Sequence, residues 1–196
     1  MNNTPALMTL SNRFSDALVF AAELHKDQRR KISGEPYAAH LLAVAAIVLE
    51  HGGDEEDAIA ALLHDAVEDQ GGAATRDEIA RRFGHRVAAT VVGCSDADTT
   101  PKPPWRQRKE AYIAHLADAS PSVRLVSAAD KLHNARSLLC QRRRCGDSVW
   151  EYFHGGRDGT LWYFRAVVDA LKHHGRTSLV EELDAVVGQL EARCDR

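Results

Sequence analysis

The residues of this chain best suited to chemistry crowd into one short run, Ala61-Leu62-Leu63-His64-Asp65-Ala66-Val67-Glu68-Asp69. Three carboxylates and an imidazole follow directly on an apolar stretch of core character. Residues four apart share a helix face, which pairs His64 with Glu68 and Asp65 with Asp69. Placing such charges beside a core is costly unless they are paired or hold a metal. Two other residues interrupt apolar helices in the same way: His40 in Tyr37-Ala38-Ala39-His40-Leu41-Leu42, and Asp130 in Ala128-Ala129-Asp130-Lys131-Leu132. Two imidazoles and two carboxylates leave coordination positions open, and mixed nitrogen and oxygen donors suit Mn2+, Fe2+ or Zn2+ better than Ca2+. Taken singly, His40 also reads as a core histidine and Asp130 as a partner of Lys131 or Arg136. The adjacent His64-Asp65 is what argues for a divalent ion.

Glu68-Asp69 stands one turn beyond His64-Asp65. It can reach a water at such a site without being a ligand, orient or deprotonate it, and later protonate a leaving group. The alternative is a solvated helix end, weakened because negative charge at a C-terminus opposes the helix dipole. Basic residues flank these motifs: Arg29-Arg30-Lys31 before His40, then Lys102, Arg106, Arg108 and Lys109, then Arg142-Arg143-Arg144. A phosphate-rich ligand needs several such groups. Each cluster also reads as a solvated face, Arg142–Arg144 above all.

The elements that must position these residues are all helical. Apolar spacing predicts helices at about 14–27, 37–51 and, capped by Asp54, from there to Gly71-Gly72. Thr75-Arg76-Asp77-Glu78 has capping-box spacing and predicts a helix ending near Gly84, followed by another at about 85–93. Thr99 to Pro104 reads as a proline-rich loop, with helices after it at about 105–118 and 121–140. Glycines predict a loop from Cys145 to Gly159 with a short helical piece at Val149–Phe153. Helices at about 160–174 and 178–194 finish the chain, with Ser178-Leu179-Val180-Glu181 as a second capping box. No strand-like alternation and no dividing linker are present, so the reading is a compact all-α helical bundle in a single domain, residues 1–196.

A formal net charge of -3 gives no global basic field for nucleic acid, so an anionic ligand must be held by local clusters. No apolar run is long enough to span a bilayer, and no signal peptide is read. Cys94, Cys140, Cys145 and Cys194 lack C-x-x-C spacing and read as reduced thiols of a cytoplasmic protein.

Four motifs then come in order: His25-x-x-x-Arg29-Arg30-Lys31, Gly34-x-Pro36-Tyr37-x-x-His40, Ala61-Leu62-Leu63-His64-Asp65-x-Val67-Glu68-Asp69 and Asp130-Lys131-Leu132-x-Asn134. With Phe83-Gly84-x-x-Val87, this closely resembles the HD-superfamily hydrolase domain of the RelA/SpoT homologues, above all the stand-alone small alarmone hydrolases. The resemblance covers about residues 14–140 well and the remainder loosely. It implies an HD-domain bundle and Mn2+-dependent removal of the 3′-pyrophosphate from guanosine tetra- or pentaphosphate. It implies His40, His64, Asp65 and Asp130 as metal ligands and Glu68 and Asp69 as the residues that position and activate water. Arg30 and Lys31 would lie against the base or ribose, and Asn134 would contact the nucleotide. Ser95-Asp96-Ala97-Asp98 carries an acid where the family leads one to expect a phosphate-binding lysine, for which Lys102 or Arg106 would compensate. Arg157 and Tyr163 are the candidates for C-terminal phosphate contacts, the alternative being that Trp162 and Tyr163 are core aromatics. The chain has no room for a synthetase domain, so hydrolysis without synthesis is expected. Two alternatives stay open: an HD phosphatase acting on another nucleotide, such as NADPH or a deoxynucleotide, and a non-catalytic alarmone-binding module. The sequence leaves the oligomeric state open.

Overall fold

The computed structural model describes residues 9–96 and 101–192. Among these are ten α-helices, one 3-10 helix and no strand. The all-α reading therefore holds for the described residues. Ala97 to Thr100, Cys194 and the expected end of the last helix lie outside them.

The centre of the bundle is α3, Glu55–Leu63, in which every residue from Ala58 to Leu63 has 0% exposure. Its start is the predicted one. Asp54 accepts from the Asp57 N–H while the Asp57 side chain accepts from the Asp54 N–H, a reciprocal cap. Around α3 pack α1 (Asn12–Leu24), α2 (Ala38–Glu50), α6 (His85–Cys94) and α8 (Pro121–Cys145). α2 buries His40 among Leu41, Val44, Ala45, Ile47 and Val48, which explains why it is apolar almost all round. α10 (Ser178–Ala192) lies on α8 and on α9 (Gly156–Lys172), while α7 (Trp105–Leu116) packs on α9.

The structure corrects four expectations. The third helix does not run to Gly71; it breaks at His64-Asp65, and α4 (Ala66–Asp69) follows as a separate turn. The imidazole explains the break, because His64 Nδ1 donates to the Ala61 carbonyl at 2.8 Å and satisfies a group left open at the helix end. α5 (Gly72–Phe83) starts three residues before Thr75, since Gly71 and Gly72 take φ of 120° and 58° and turn the chain into the helix. Thr75 instead donates back to the Gln70 carbonyl at 2.6 Å. The cap of α10 is Thr177, whose hydroxyl accepts from the Val180 N–H, and not Ser178. α8 runs through Arg142–Arg144 to Cys145, and the expected loop after it opens with a 3-10 helix at Gly146–Tyr152. No helix among the described residues is long and apolar enough to cross a membrane.

Candidate active site

Three elements bring the four predicted metal donors to one point. α2 supplies His40, the break after α3 supplies His64 and Asp65, and the middle of α8 supplies Asp130. His64 Nε2 lies 3.1 Å from Asp65 Oδ2 and 3.6 Å from Asp130 Oδ1. His40 Nε2 lies 3.6 Å and 3.2 Å from the same two atoms. These approaches are close without aligning as hydrogen bonds, so both Nε2 atoms are buried and have no hydrogen-bond partner. His64 Nδ1 must carry its proton, because it faces a carbonyl oxygen that can only accept. In the neutral ring Nε2 is then a bare lone pair pointing at carboxylates. A buried lone pair facing acceptors is poorly satisfied by protein alone, and a divalent cation fits it.

The donors are braced from behind. His40 Nδ1 meets His133 Nδ1 at 2.7 Å, and the Tyr37 hydroxyl donates to Asp65 Oδ2 at 2.5 Å. Asn134 donates to Asp130 Oδ1 at 2.5 Å, and Lys131 donates to the other oxygen of Asp130. Such partners hold ligand orientation and protonation. Burial opposes the charged forms of His64, Asp65 and Asp130, yet their mutual attraction wins. On their own, the Asp65 and Asp130 carboxylates favour a proton on His64 and keep it above the ordinary imidazole range, and a divalent ion would take the place of that proton on Nε2. His64 and Lys131, in turn, help hold Asp65 and Asp130 well below the usual carboxylate range.

Beside this point opens a cavity of about 530 Å³. Arg30, Lys31, Lys102, Arg108, Lys109 and Lys131 contribute its positive charge. Glu68, Asp69 and Asp96 also line it. Lys102 Nζ donates to Glu68 Oε1 at 2.8 Å, and the Asp96 N–H approaches Glu68 Oε2 at 3.4 Å. Burial first, and the Asp96 charge second, raise the pKa of Glu68 despite Lys102. Asp96 is itself gripped by Arg108 and by Lys109, the latter at 2.5 Å. Arg30 donates to Asn134 Oδ1 at 2.8 Å, joining the turn after α1 to the face of α8 that carries Asp130.

Of the predicted substrate-binding residues, Arg30, Lys31, Asn134, Lys102 and Tyr163 face this cavity. Arg106 does not line it; its guanidinium stacks 3.3 Å above the Trp162 ring and bonds Glu110 on its own helix. Arg157 is not part of the cavity wall either. Tyr163 is both a core aromatic and a wall residue, 7% exposed, with Lys109 Nζ 4.5 Å from its ring centroid. Asp98, the other acid of that segment, lies outside the described residues. Sequence reasoning assigned no role to Tyr37, Gln28 or His133, although each stands inside a quoted motif. Each is a polar residue one to three positions from a predicted functional one, which marks it out without showing which residue it meets.

Fold and side-chain cluster define a hydrolase of the HD type with a group of residues that could hold a divalent ion, and the chain belongs to the HD domain family, matching it over residues 17–161. Within that family its relatives include the guanosine-3′,5′-bis(diphosphate) 3′-pyrophosphohydrolases MESH1. The Xenopus tropicalis protein is 41% identical over 147 residues, covering 70% of this chain and 77% of its own. The Homo sapiens protein is 37% identical over 173 residues, covering 81% and 90%. Among solved structures, a metazoan ortholog of SpoT that hydrolyzes ppGpp superposes with a TM-score of 0.79 at 29% identity, over 93% of this chain and 98% of that one.

Proposed function

We propose that this chain is a Mn2+-dependent 3′-pyrophosphohydrolase of guanosine tetra- and pentaphosphate, yielding GDP or GTP and pyrophosphate. The observation that carries the reading is the convergence of two orphaned imidazole nitrogens on two carboxylates at the edge of a cation-lined cavity. The relatives that share the family are named for this reaction. His40, His64, Asp65 and Asp130 would hold the ion, and their mixed donor set suits Mn2+. Bound there, a divalent ion supplies charge to neutralise phosphoryl oxygens and makes an adjacent water more acidic.

The chain's own residues do the rest. Glu68 and Asp69 orient the attacking water and accept its proton. The water oxygen bonds to the phosphorus on the ribose 3′-oxygen. The bond between them breaks, and that oxygen leaves as a hydroxyl after taking a proton from one of these two carboxyls. Arg30, Lys31 and Asn134 position the nucleoside, while Lys102, Arg108, Lys109 and Tyr163 surround the phosphates. Arg106 and Arg157 take no direct part in this reading, because neither lines the cavity.

The test is release of GDP and pyrophosphate from guanosine tetraphosphate by purified protein with Mn2+, followed by chromatography, with Asp65→Ala as control. Turnover that vanishes in the variant supports the reading. No turnover with the ion still bound sinks it and moves the search to a panel including NADPH and deoxynucleotides.

A further inference from the structure

One polar network beside the cavity belongs to neither the metal donors nor the phosphate-facing cations. Gln28 sits in the turn after α1, its backbone fixed at both ends: its N–H donates to the His25 carbonyl at 3.0 Å, and its carbonyl accepts from the Tyr37 N–H at 2.9 Å. The side-chain amide is equally constrained. Gln28 Oε1 faces His25 Nδ1 at 2.6 Å and accepts from Gln70 Nε2 at 2.7 Å. An amide oxygen can only accept, so His25 Nδ1 must be a donor. That leaves Gln28 Nε2 pointing the other way, and it donates to Asp69 Oδ2 at 2.8 Å. His25 is a buried anchor, 2% exposed and stacked on Tyr37 with ring centroids 5.3 Å apart.

Asp69, by contrast, is exposed to the cavity, on a helix of four residues. A carboxylate so placed has free rotamers unless something holds it. We infer that Gln28 is a positioning residue, holding the Asp69 carboxylate in one orientation through an amide pinned by His25 and Gln70. An amide does this without competing for the proton, because it donates a hydrogen bond and cannot itself be deprotonated near neutral pH. One oxygen of Asp69 is thereby engaged, and the other is left free to meet the water. The inference rests on the role given to Asp69 above.

The experiment is a double-mutant cycle. In Gln28→Met, which keeps the length and loses both hydrogen-bonding atoms, kcat falls about ten- to a hundredfold, in line with the sensitivity of turnover to small misplacements. KM and bound metal stay at wild-type values. In an Asp69→Asn background the same substitution causes no further fall. An equal fall in that background would overturn the inference, and so would a raised KM with intact kcat, which would make Gln28 a substrate contact. If Asp69→Asn alone keeps full turnover, the role of Asp69 fails instead. A readout free of turnover and of variant folding at Gln28 is the NMR signal of the Gln28 side-chain amide. It shifts on Asp69→Asn if the amide is held by that carboxylate, and an unmoved signal overturns the inference.

Discussion

Lys102 Nζ and Glu68 Oε1 stand 2.8 Å apart in the wall of the cavity, joining one of its cations to the proposed water-activating carboxylate. In the proposed reaction an incoming polyphosphate would offer Lys102 a stronger partner and so release Glu68 towards the water.

Opposite kinetic signatures should therefore come from the two ends of this pair. Glu68→Gln should lose at least about a hundredfold in kcat with metal content unchanged, because only proton transfer is removed. Lys102→Met should raise KM about tenfold, as expected for one charge-assisted contact, and leave kcat much less affected. Steady-state kinetics with metal analysis checks both. Full activity in Glu68→Gln would end its role in activating water.

Metal removal should be visible in stability alone. An ion that binds only the folded chain stabilises it by about 2.7 kcal/mol when present at a hundred times its dissociation constant. Adding Mn2+ to chelator-treated protein should raise Tm, and Asp65→Ala should abolish the rise, since Asp65 Oδ2 is the oxygen closest to His64 Nε2. A variant that keeps the full increment would remove Asp65 from the donor set.

Helix α7 carries Arg108 and Lys109 into the cavity wall, and its first residue is seated on glycine. A methyl at Gly155 would lie 2.6 Å from Trp105 Cη2, and one at Gly159 3.2 Å from the same atom. Gly155 has an ordinary φ of -80°, so the cost of Gly155→Ala is steric alone. Overpacking of this kind should lower stability by about 1–3 kcal/mol in urea denaturation. The smaller ring of Trp105→Phe should recover part of it, and no recovery would mean that the indole is not the obstacle.

Much of this was legible in the chain itself because helix burial writes a period into the sequence. α2, α3 and α8 could be read from apolar spacing, and His40 and Asp130 stood out as polar interruptions within them. The break at His64-Asp65 was not legible, since it depends on an imidazole bonding a carbonyl three residues back, which competes with no visible breaker. α8 continues past its apolar stretch into packed surroundings: Arg142 bonds Asp147, lies 5.7 Å from the Trp150 ring and donates to the Leu190 carbonyl of α10 at 3.3 Å, so a run read as a solvated face is partly packed. The bracing of the site escaped for the same reason. His133 meets His40 across 93 residues and Gln28 meets Asp69 across 41, and spacing along one helix carries no trace of such pairings.

Arg86 ties α6 to the start of α3, and its contribution should disappear in acid. It bonds Asp54 at 2.6 Å, Glu56 at 3.2 Å and Asp57 at 2.9 Å, so it clamps the cap of the central helix. Burial pushes the Asp54 carboxyl up, but the Arg86 hydrogen bond and charge outweigh it and leave the group below its ordinary value of 3.8. A folded-state pKa below the unfolded one means that the unfolded chain takes up the proton first. The stabilisation is therefore complete well above pH 3.8 and is lost as pH falls through the lowered folded value. Arg86 is itself half-exposed, which limits the pairing to about 1 kcal/mol. Arg86→Met should lower the urea midpoint at pH 7, and the gap to wild type should close as pH falls below 3.8 and through the lowered Asp54 value. A gap that stays constant across that range would assign the loss to the packing of the arginine stem and not to its charge.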